Sequence, residues 1–262
     1  MILGSRKART SNNFEPPTPM KEFPPEFADL LTRRGLRILT GKSAERELFT
    51  RSNQYFANFS NLIRRESAAA CMQLLDRHLY DSLSIEQSRI PPESITEMEE
   101  NYTESLPKTI RIKTAFFRKR TARSYRAAEE IGLLRMMKSE SFTLFAETLT
   151  GLKLERELGV QVSCYEPGDY AGPHNDHHPE DELFKDGFVD FHVMFRNDAV
   201  AHQYLVYEEK GHFSKIVDIN VQGGVSVYRL PFWHYTTPLT AKPGREKEAR
   251  RWLLLGTFQL VQ

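Results

Sequence analysis

Cys164-Tyr165-Glu166-Pro167-Gly168-Asp169-Tyr170-Ala171-Gly172-Pro173-His174-Asn175-Asp176 is the stretch whose reading decides the fold. It contains two extended runs, about 160–166 and 170–176, parted by Pro167, Gly168 and Asp169, residues that break strands and favour turns. If the second run is a strand, His174 and Asp176 point to the same face, because side chains alternate along extended chain. The same punctuation continues downstream. Short apolar runs separated by Gly, Pro, Asp and Asn recur at about 188–195, 203–208, 214–219, 224–230, 233–238 and 250–260. Eight closely spaced strands after Gly151 predict a double-stranded β-helix, or jelly roll.

Upstream of Gly151 the pattern differs. Residues 26–89 look helical: Tyr55, Phe56, Phe59, Leu62 and Ile63 recur at helical spacing, as do Met72, Leu74, Leu75 and Leu79. Ile90-Pro91-Pro92 interrupts this region, and 93–108 is a polar, acidic connector. A strand is predicted over 110–117, then helices at about 124–137 and 139–150, the last capped by Ser139 and ending near Gly151. Residues 1–25 are polar and Pro-rich and read as a flexible lead-in. The expected organisation is therefore a lead-in (1–25), a helical N-terminal region packing on the core (26–150) and a jelly-roll catalytic core (151–262). The class is mainly β with a helical N-terminal layer (α+β).

The 262 residues suffice for one large domain or a core with a helical addition. Charge is balanced, 36 Lys and Arg against 35 Asp and Glu, so no global field draws the chain to nucleic acid or a membrane surface. No apolar run reaches spanning length, and Met1-Ile2-Leu3-Gly4-Ser5-Arg6-Lys7 lacks the apolar stretch of a signal peptide. Only Cys71 and Cys164 are present, which argues against a disulfide scaffold and for a reducing, cytoplasmic setting.

His174, Asp176 and His234 are the candidate metal ligands. His234 lies 60 residues after His174, far enough for intervening strands to return the chain to the first pair. Two imidazoles and one carboxylate hold a divalent ion while leaving coordination positions open, the donor set suited to Fe(II), and no Cys cluster competes for the site. The bland alternative makes His174 and Asp176 turn residues and His234 a surface histidine. Near the C-terminus, Arg250-Arg251 enters an apolar run. Alternation puts Arg251, Leu253, Leu255 and Thr257 on one strand face and Arg250, Trp252 and Leu254 on the other.

The stretch Cys164–Asp176, Trp233-His234 and Arg250-Arg251-Trp252-Leu253-Leu254-Leu255-Gly256-Thr257-Phe258 together resemble the Fe(II)/2-oxoglutarate-dependent dioxygenase superfamily, in its prolyl 4-hydroxylase-like branch. The resemblance covers about residues 140–262. It implies Fe(II) as cofactor, 2-oxoglutarate as co-substrate, and succinate and CO2 as co-products of an oxidation at a substrate C–H. The second and seventh strands would then be neighbours, which sets His234 beside His174 and Asp176. Retention of Asp176 favours hydroxylation over halogenation, since the related halogenases lack that carboxylate. Arg251 takes the family position for the distal carboxylate of 2-oxoglutarate, where a planar guanidinium grips a carboxylate with two hydrogen bonds. Arg250 stays open as the other candidate and Arg245 as a third. Tyr165 would reach the co-substrate, and Thr236, on the same strand face as His234, would assist.

Other features read as structural. His177 and His178 fall in a polar loop, and His192 shares a strand face with Asp190 and Met194. The run Arg111, Lys113, Arg118, Lys119, Arg120, Arg123, Arg126 reads as a solvated face. No nucleophile motif or phosphate loop is present. The expected activity is a 2-oxoglutarate-dependent dioxygenase, a hydroxylase whose substrate is a small metabolite or amino-acid-like molecule, with a protein side chain as the second candidate. Neither nucleic acid nor a membrane is expected as partner. The alternative of another class is a non-catalytic jelly-roll binding or scaffold protein with a vestigial or structural metal site.

Overall fold

The computed structural model describes residues 20–52, 54–88, 109–176 and 187–261. The first 19 residues of the expected lead-in, the acidic connector 93–108, and His177 and His178 lie outside the described residues.

After Gly151 the chain is almost entirely strand: β4 (Leu154–Tyr165), β5 (Tyr170–His174), β6 (Phe188–Arg196), β7 (Val200–His202), β8 (Tyr204–Glu209), β9 (His212–Asp218), β10 (Gly224–Leu230), β11 (His234–Thr236), β12 (Thr240–Ala241) and β13 (Arg251–Leu260). Upstream lie β1 (Phe56–Phe59), β2 (Ser84–Ser88) and β3 (Ile110–Phe116). They join one antiparallel sheet in the order β1-β10-β6-β13-β4-β3-β5-β11-β8-β9, with β2 added beside β3 and a separate β7–β12 pair. This is the nearly closed, jelly-roll-like barrel that the strand spacing predicts. All eight expected strands are present. Two are shorter than expected: the second ends at His174, and the seventh covers only His234–Thr236.

Strand alternation divides the apolar residues between two cores. Val189, Phe191, Val193 and Phe195 of β6, with Trp252, Leu254 and Phe258 of β13, pack outward against the helices. Their neighbours Phe188, Met194 and Leu253 face the barrel interior in a second cluster with Tyr165, Tyr228 and Phe232. β6 is therefore buried on both faces along nearly its whole length. That explains why it carries large apolar residues at every second position and polar ones, Asp190 and His192, on the inner face.

The helical layer comprises α1 (Arg33–Leu39), α2 (Leu48–Arg51), α3 (Arg65–Leu74), α4 (Arg123–Glu130), α5 (Leu133–Met137) and α6 (Glu140–Thr150). α6 buries Phe142, Phe145, Ala146 and Leu149 one turn apart; both its rings meet Phe27 edge-on, and Phe191 is met edge-on by Phe142 and at a tilt by Phe145. Gly151 at φ 79° ends it in the left-handed conformation that glycine tolerates best. Ser139 stands at the predicted cap position, yet its hydroxyl accepts from the backbone N–H of Phe27, tying the N-terminal segment down instead of capping its own helix. The predicted helix at 124–137 is two helices, broken at Gly132.

One expectation is corrected. Tyr55, Phe56 and Phe59 do not continue a helix: Phe56–Phe59 is β1, paired with β10, with Phe56 opposite Tyr228. Phe56 and Phe59 are three apart, a helical spacing that puts them on opposite faces of a strand, so the local pattern is overridden by tertiary pairing with the sheet edge. Ser84–Ser88, in the same expected helical region, is also strand.

Candidate functional site

The turn between β4 and β5 is locked before any ligand is placed. Asp169, almost fully buried, accepts the backbone N–H of Glu166 at 2.8 Å across the turn and pairs with Arg111 at 3.3 Å. Burial pushes its carboxyl above the usual range, while the Glu166 N–H and the Arg111 guanidinium pull it back. β5 then leaves in fixed register, His174 directly opposite His234 of β11. The register slips between His234 and Thr236, an irregularity of the kind that re-aims side chains beside sites.

Asp176 reaches the pair by a different route from the one the spacing suggests. It lies beyond the end of β5 at φ 52°, a left-handed conformation that Asp accepts more readily than most residues. The carboxylate oxygen Oδ2 stands 3.2 Å from Nε2 of His174 and 3.6 Å from Nε2 of His234. The two imidazole centroids are 4.3 Å apart. Nδ1 of His174 lies 2.6 Å from the carbonyl of Gly172, and Nδ1 of His234 lies 2.8 Å from the carbonyl of Phe232. A carbonyl only accepts, so in the neutral ring Nδ1 carries the proton and Nε2 the lone pair. Both lone pairs are thereby aimed at the side where Asp176 stands. Ligand atoms of the three residues all fall within 4.8 Å of one another. This donor set fits a divalent metal: two oriented imidazole nitrogens and one carboxylate oxygen, with backbone carbonyls fixing the tautomers as outer partners do at metal sites.

The three residues open into a cavity of about 590 Å³ inside the barrel. At one end lies Arg251, the first residue of β13, only 2% exposed. Its Nε donates to the carbonyl of Ile219 and its Nη1 to Oε1 of Gln203, each at 3.2 Å. Gln203 is itself held by donating its amide N–H groups to the carbonyls of Asp169 and Thr237, which turns its oxygen toward the guanidinium. Among the described residues no carboxylate forms an ion pair with Arg251. Burial lowers its pKa from the ordinary arginine value, opposed by Tyr165, Tyr228 and Asp218. The charge remains at neutral pH and is only partly satisfied.

Tyr165 lies opposite Arg251 in register, with the guanidinium 5.2 Å from its ring centre. Burial raises its hydroxyl above the usual tyrosine value, with Arg251 acting in the other direction. Thr236 lines the same end and accepts the N–H of Ala171 at 2.8 Å. Arg251, Tyr165 and Thr236 are thus brought together with the His–Asp–His group. Arg250 is not: it points to the other face of β13, with its guanidinium 3.9 Å from the ring centre of Tyr80 and near Asp76. Arg245 is half-buried and pairs with Glu248 at 2.8 Å.

Three cavity residues have no functional assignment in the sequence. Tyr228 of β10 is buried between His192, ring centres 4.3 Å apart, and His234, 5.6 Å apart. His192 and Asp190 face the cavity with it. The available signal was parity: they share their strand face with Met194, and that face is the inner one. Of the basic run, Arg111 and Lys113 are engaged by Asp169 and Glu166, whereas Arg118 reaches the cavity rim.

No protein-family model matches the chain, and comparison with curated protein sequences finds no match. Solved structures do match. A 2OG-Fe(II) oxygenase family oxidoreductase from Burkholderia pseudomallei aligns over 78% of this chain and 84% of its own, with TM-score 0.50 and 12% identity. A prolyl 4-hydroxylase from Phytophthora capsici aligns over 94% of this chain and 70% of its own, with TM-score 0.52 and 11% identity. The fold is that of these 2OG-Fe(II) oxygenases.

Proposed function

We propose that this protein is an Fe(II)- and 2-oxoglutarate-dependent oxygenase that hydroxylates a C–H of a small metabolite or amino-acid-like substrate, releasing succinate and CO2. The observation that carries the reading is a pairing inside one cavity: an oriented His–Asp–His group at one place and a buried, incompletely satisfied guanidinium at another. A dicarboxylic oxoacid has the matching chemistry, with an oxoacid end for a metal and a distal carboxylate for a guanidinium.

His174, Asp176 and His234 would hold Fe(II), and the bound ion with 2-oxoglutarate would supply the oxidising chemistry. The protein's own residues do the rest. The carbonyls of Gly172 and Phe232 keep both imidazoles in the Nε2-ligating tautomer. Arg251 orients the distal carboxylate, and Gln203 and Ile219 hold the guanidinium in place for it. Tyr165 and Thr236 offer hydroxyls to the same ligand. Tyr228, Leu205 and Leu253 wall the cavity and exclude water.

Anaerobic titration of Fe(II) in the presence of 2-oxoglutarate tests this reading. The expected result is a weak metal-to-ligand charge-transfer band that requires both additions, and succinate release on admitting oxygen with a substrate panel. Metal binding indifferent to 2-oxoglutarate would turn the assignment to an oxoacid-independent metalloenzyme. Binding of neither would favour a jelly-roll scaffold with a vestigial site.

A further inference from the structure

The cavity has a second polar group, away from Arg251, and its chemistry is of the opposite sign. Asp190 and His192 lie on the inner face of β6. Asp190 stands opposite Tyr228 of β10 and Thr257 of β13, and His192 opposite Ser226 and Leu255. The Thr257 hydroxyl donates to Oδ1 of Asp190 at 2.6 Å. Oδ2 lies 3.8 Å from Nε2 of His192, too far for a hydrogen bond. Among the described residues, Asp190 accepts that one hydrogen bond and no Lys or Arg pairs with it. A carboxylate has about four lone-pair sites, so most of its acceptor capacity is unused. The Nε2 atom of His192 is buried and has no hydrogen-bond partner among the described residues. Both side chains are about nine-tenths buried, and both line the cavity.

Position gives this deficit a use. The His192 ring packs on Tyr228, and Tyr228 packs on His234. The Asp190–His192 pair is therefore one aromatic ring away from the candidate metal ligands, within the same cavity. A ligand gripped there would present its neighbouring carbons to the His–Asp–His group. A buried carboxylate with spare acceptor capacity and no cationic partner is complementary to a donor-only cation. An ammonium has three N–H donors and no acceptor, and it can reach a carboxylate oxygen and an imidazole lone pair together.

We propose that Asp190 and His192 form the substrate-recognition group of this cavity and take the protonated amino group of an alkylamine substrate. The proposal rests on the oxygenase reading and names the substrate class of that site. The ammonium sits against Asp190, His192 Nε2 accepts a second N–H, and the aliphatic carbons beside it lie along the Tyr228 wall toward His234. The same alkylammonium group occurs on free amino compounds and on lysine side chains, so the test carries an arm for each.

Binding to the full chain is measured by calorimetry with L-lysine and 1,4-diaminobutane, with uncharged 1,4-butanediol, which carries no amino group, and with a lysine-containing hexapeptide. Each is titrated into the metal-free protein and into protein loaded with Mn(II) and 2-oxoglutarate. The expected result is that ammonium ligands bind at least about ten-fold more tightly than the uncharged analogue. Asp190→Asn should lose that preference while leaving 2-oxoglutarate affinity unchanged, and His192→Gln should lose part of it. Whether the free amines or the peptide bind more tightly identifies the source. Asn can still accept from Thr257, so Asp190→Asn keeps the local geometry. Without ligand it should melt no lower than wild type, because it removes a buried, under-satisfied charge. Equal binding of charged and uncharged ligands, undiminished amine affinity in Asp190→Asn, or no binding by any of the panel overturns the proposal. If amines behave as expected but Mn(II) and 2-oxoglutarate do not bind, the recognition group stands and the oxygenase reading fails.

Discussion

Arg251 and Arg250 are adjacent in sequence and opposite in environment, so they form a matched pair for testing the co-substrate clamp. Arg251 faces the cavity with two oxygen acceptors and no described carboxylate. Removing its charge-assisted contacts costs about 1.5–3 kcal/mol, or roughly 10- to 150-fold in affinity for 2-oxoglutarate. Arg251→Ala should raise the apparent KM for 2-oxoglutarate by that factor with little change in iron affinity, and Arg251→Lys should recover only part, since an ammonium lacks the planar fork. Arg250→Ala should leave this KM unchanged and lower Tm instead, because Arg250 stacks on Tyr80 beside Asp76. The reverse pattern in steady-state kinetics would reject the clamp. For the metal, His174→Ala, Asp176→Ala and His234→Ala should each weaken Fe(II) binding by more than the roughly 10- to 100-fold that loss of an outer partner costs, with circular dichroism unchanged. Near-normal succinate production by Asp176→Ala and His234→Ala would sink the ligand assignment. The parity of Arg251 was legible because a strand face has a period of two. The reason for Asp176's position was not, since a left-handed residue just past the strand end leaves no periodic trace.

At the scale of elements, local pattern and tertiary context divide the work unevenly. The strands after Gly151 are bounded by their own turn residues, so spacing alone locates them. β1 is not: Phe56 and Phe59 become strand because β10 offers an open edge, which lies far away in sequence. Asp190 and His192 were assigned to the correct strand and to one face of it, but both faces of that strand are buried and Phe188 and Met194 share the polar face, so nothing local marks it as the cavity side. The N-terminal segment shows the same dependence on partners. Phe23 is completely buried, and its N–H donates to the carbonyl of Ile131 at 2.7 Å. Phe27 makes edge contacts with Phe142, Phe145 and Phe191, so this segment joins α6 to the outer face of β6. Phe23→Ala should therefore destabilise by about 3–5 kcal/mol in urea titration, as large-to-small changes at fully buried aromatics do. A truncation that starts at residue 21 keeps Phe23 and should hold its Tm within a few degrees; one that starts at residue 26 should not. Equal Tm for the two truncations would show that the Phe23 contacts contribute little.

At the scale of the whole molecule, two cores separate stability from chemistry. The outer core, between helices and sheet, is apolar and closed. The inner one holds the cavity and with it the groups that are costly to bury: Arg251, Asp190, His192 and the His–Asp–His set. Among the described residues no helix is long and apolar enough to cross a membrane. Ligands that complete the inner groups should stabilise the fold in proportion to their binding, because they bind the folded chain and not the unfolded one. At about 100 times its Kd, a ligand adds about 2.7 kcal/mol. For a domain of this size that is roughly 5–10 °C in Tm. A divalent metal alone should raise Tm, and 2-oxoglutarate should raise it further only when metal is present, because the oxoacid end needs the ion. Arg251→Ala should keep the metal increment and lose most of the 2-oxoglutarate increment. Asp176→Ala should lose both, since the second ligand depends on the first. Thermal melts with Mn(II), with 2-oxoglutarate and with both, on these three proteins, make the comparison. A 2-oxoglutarate increment as large in Arg251→Ala as in wild type would place the co-substrate's distal carboxylate elsewhere. An increment from 2-oxoglutarate that ignores the metal would break the link between the two halves of the site.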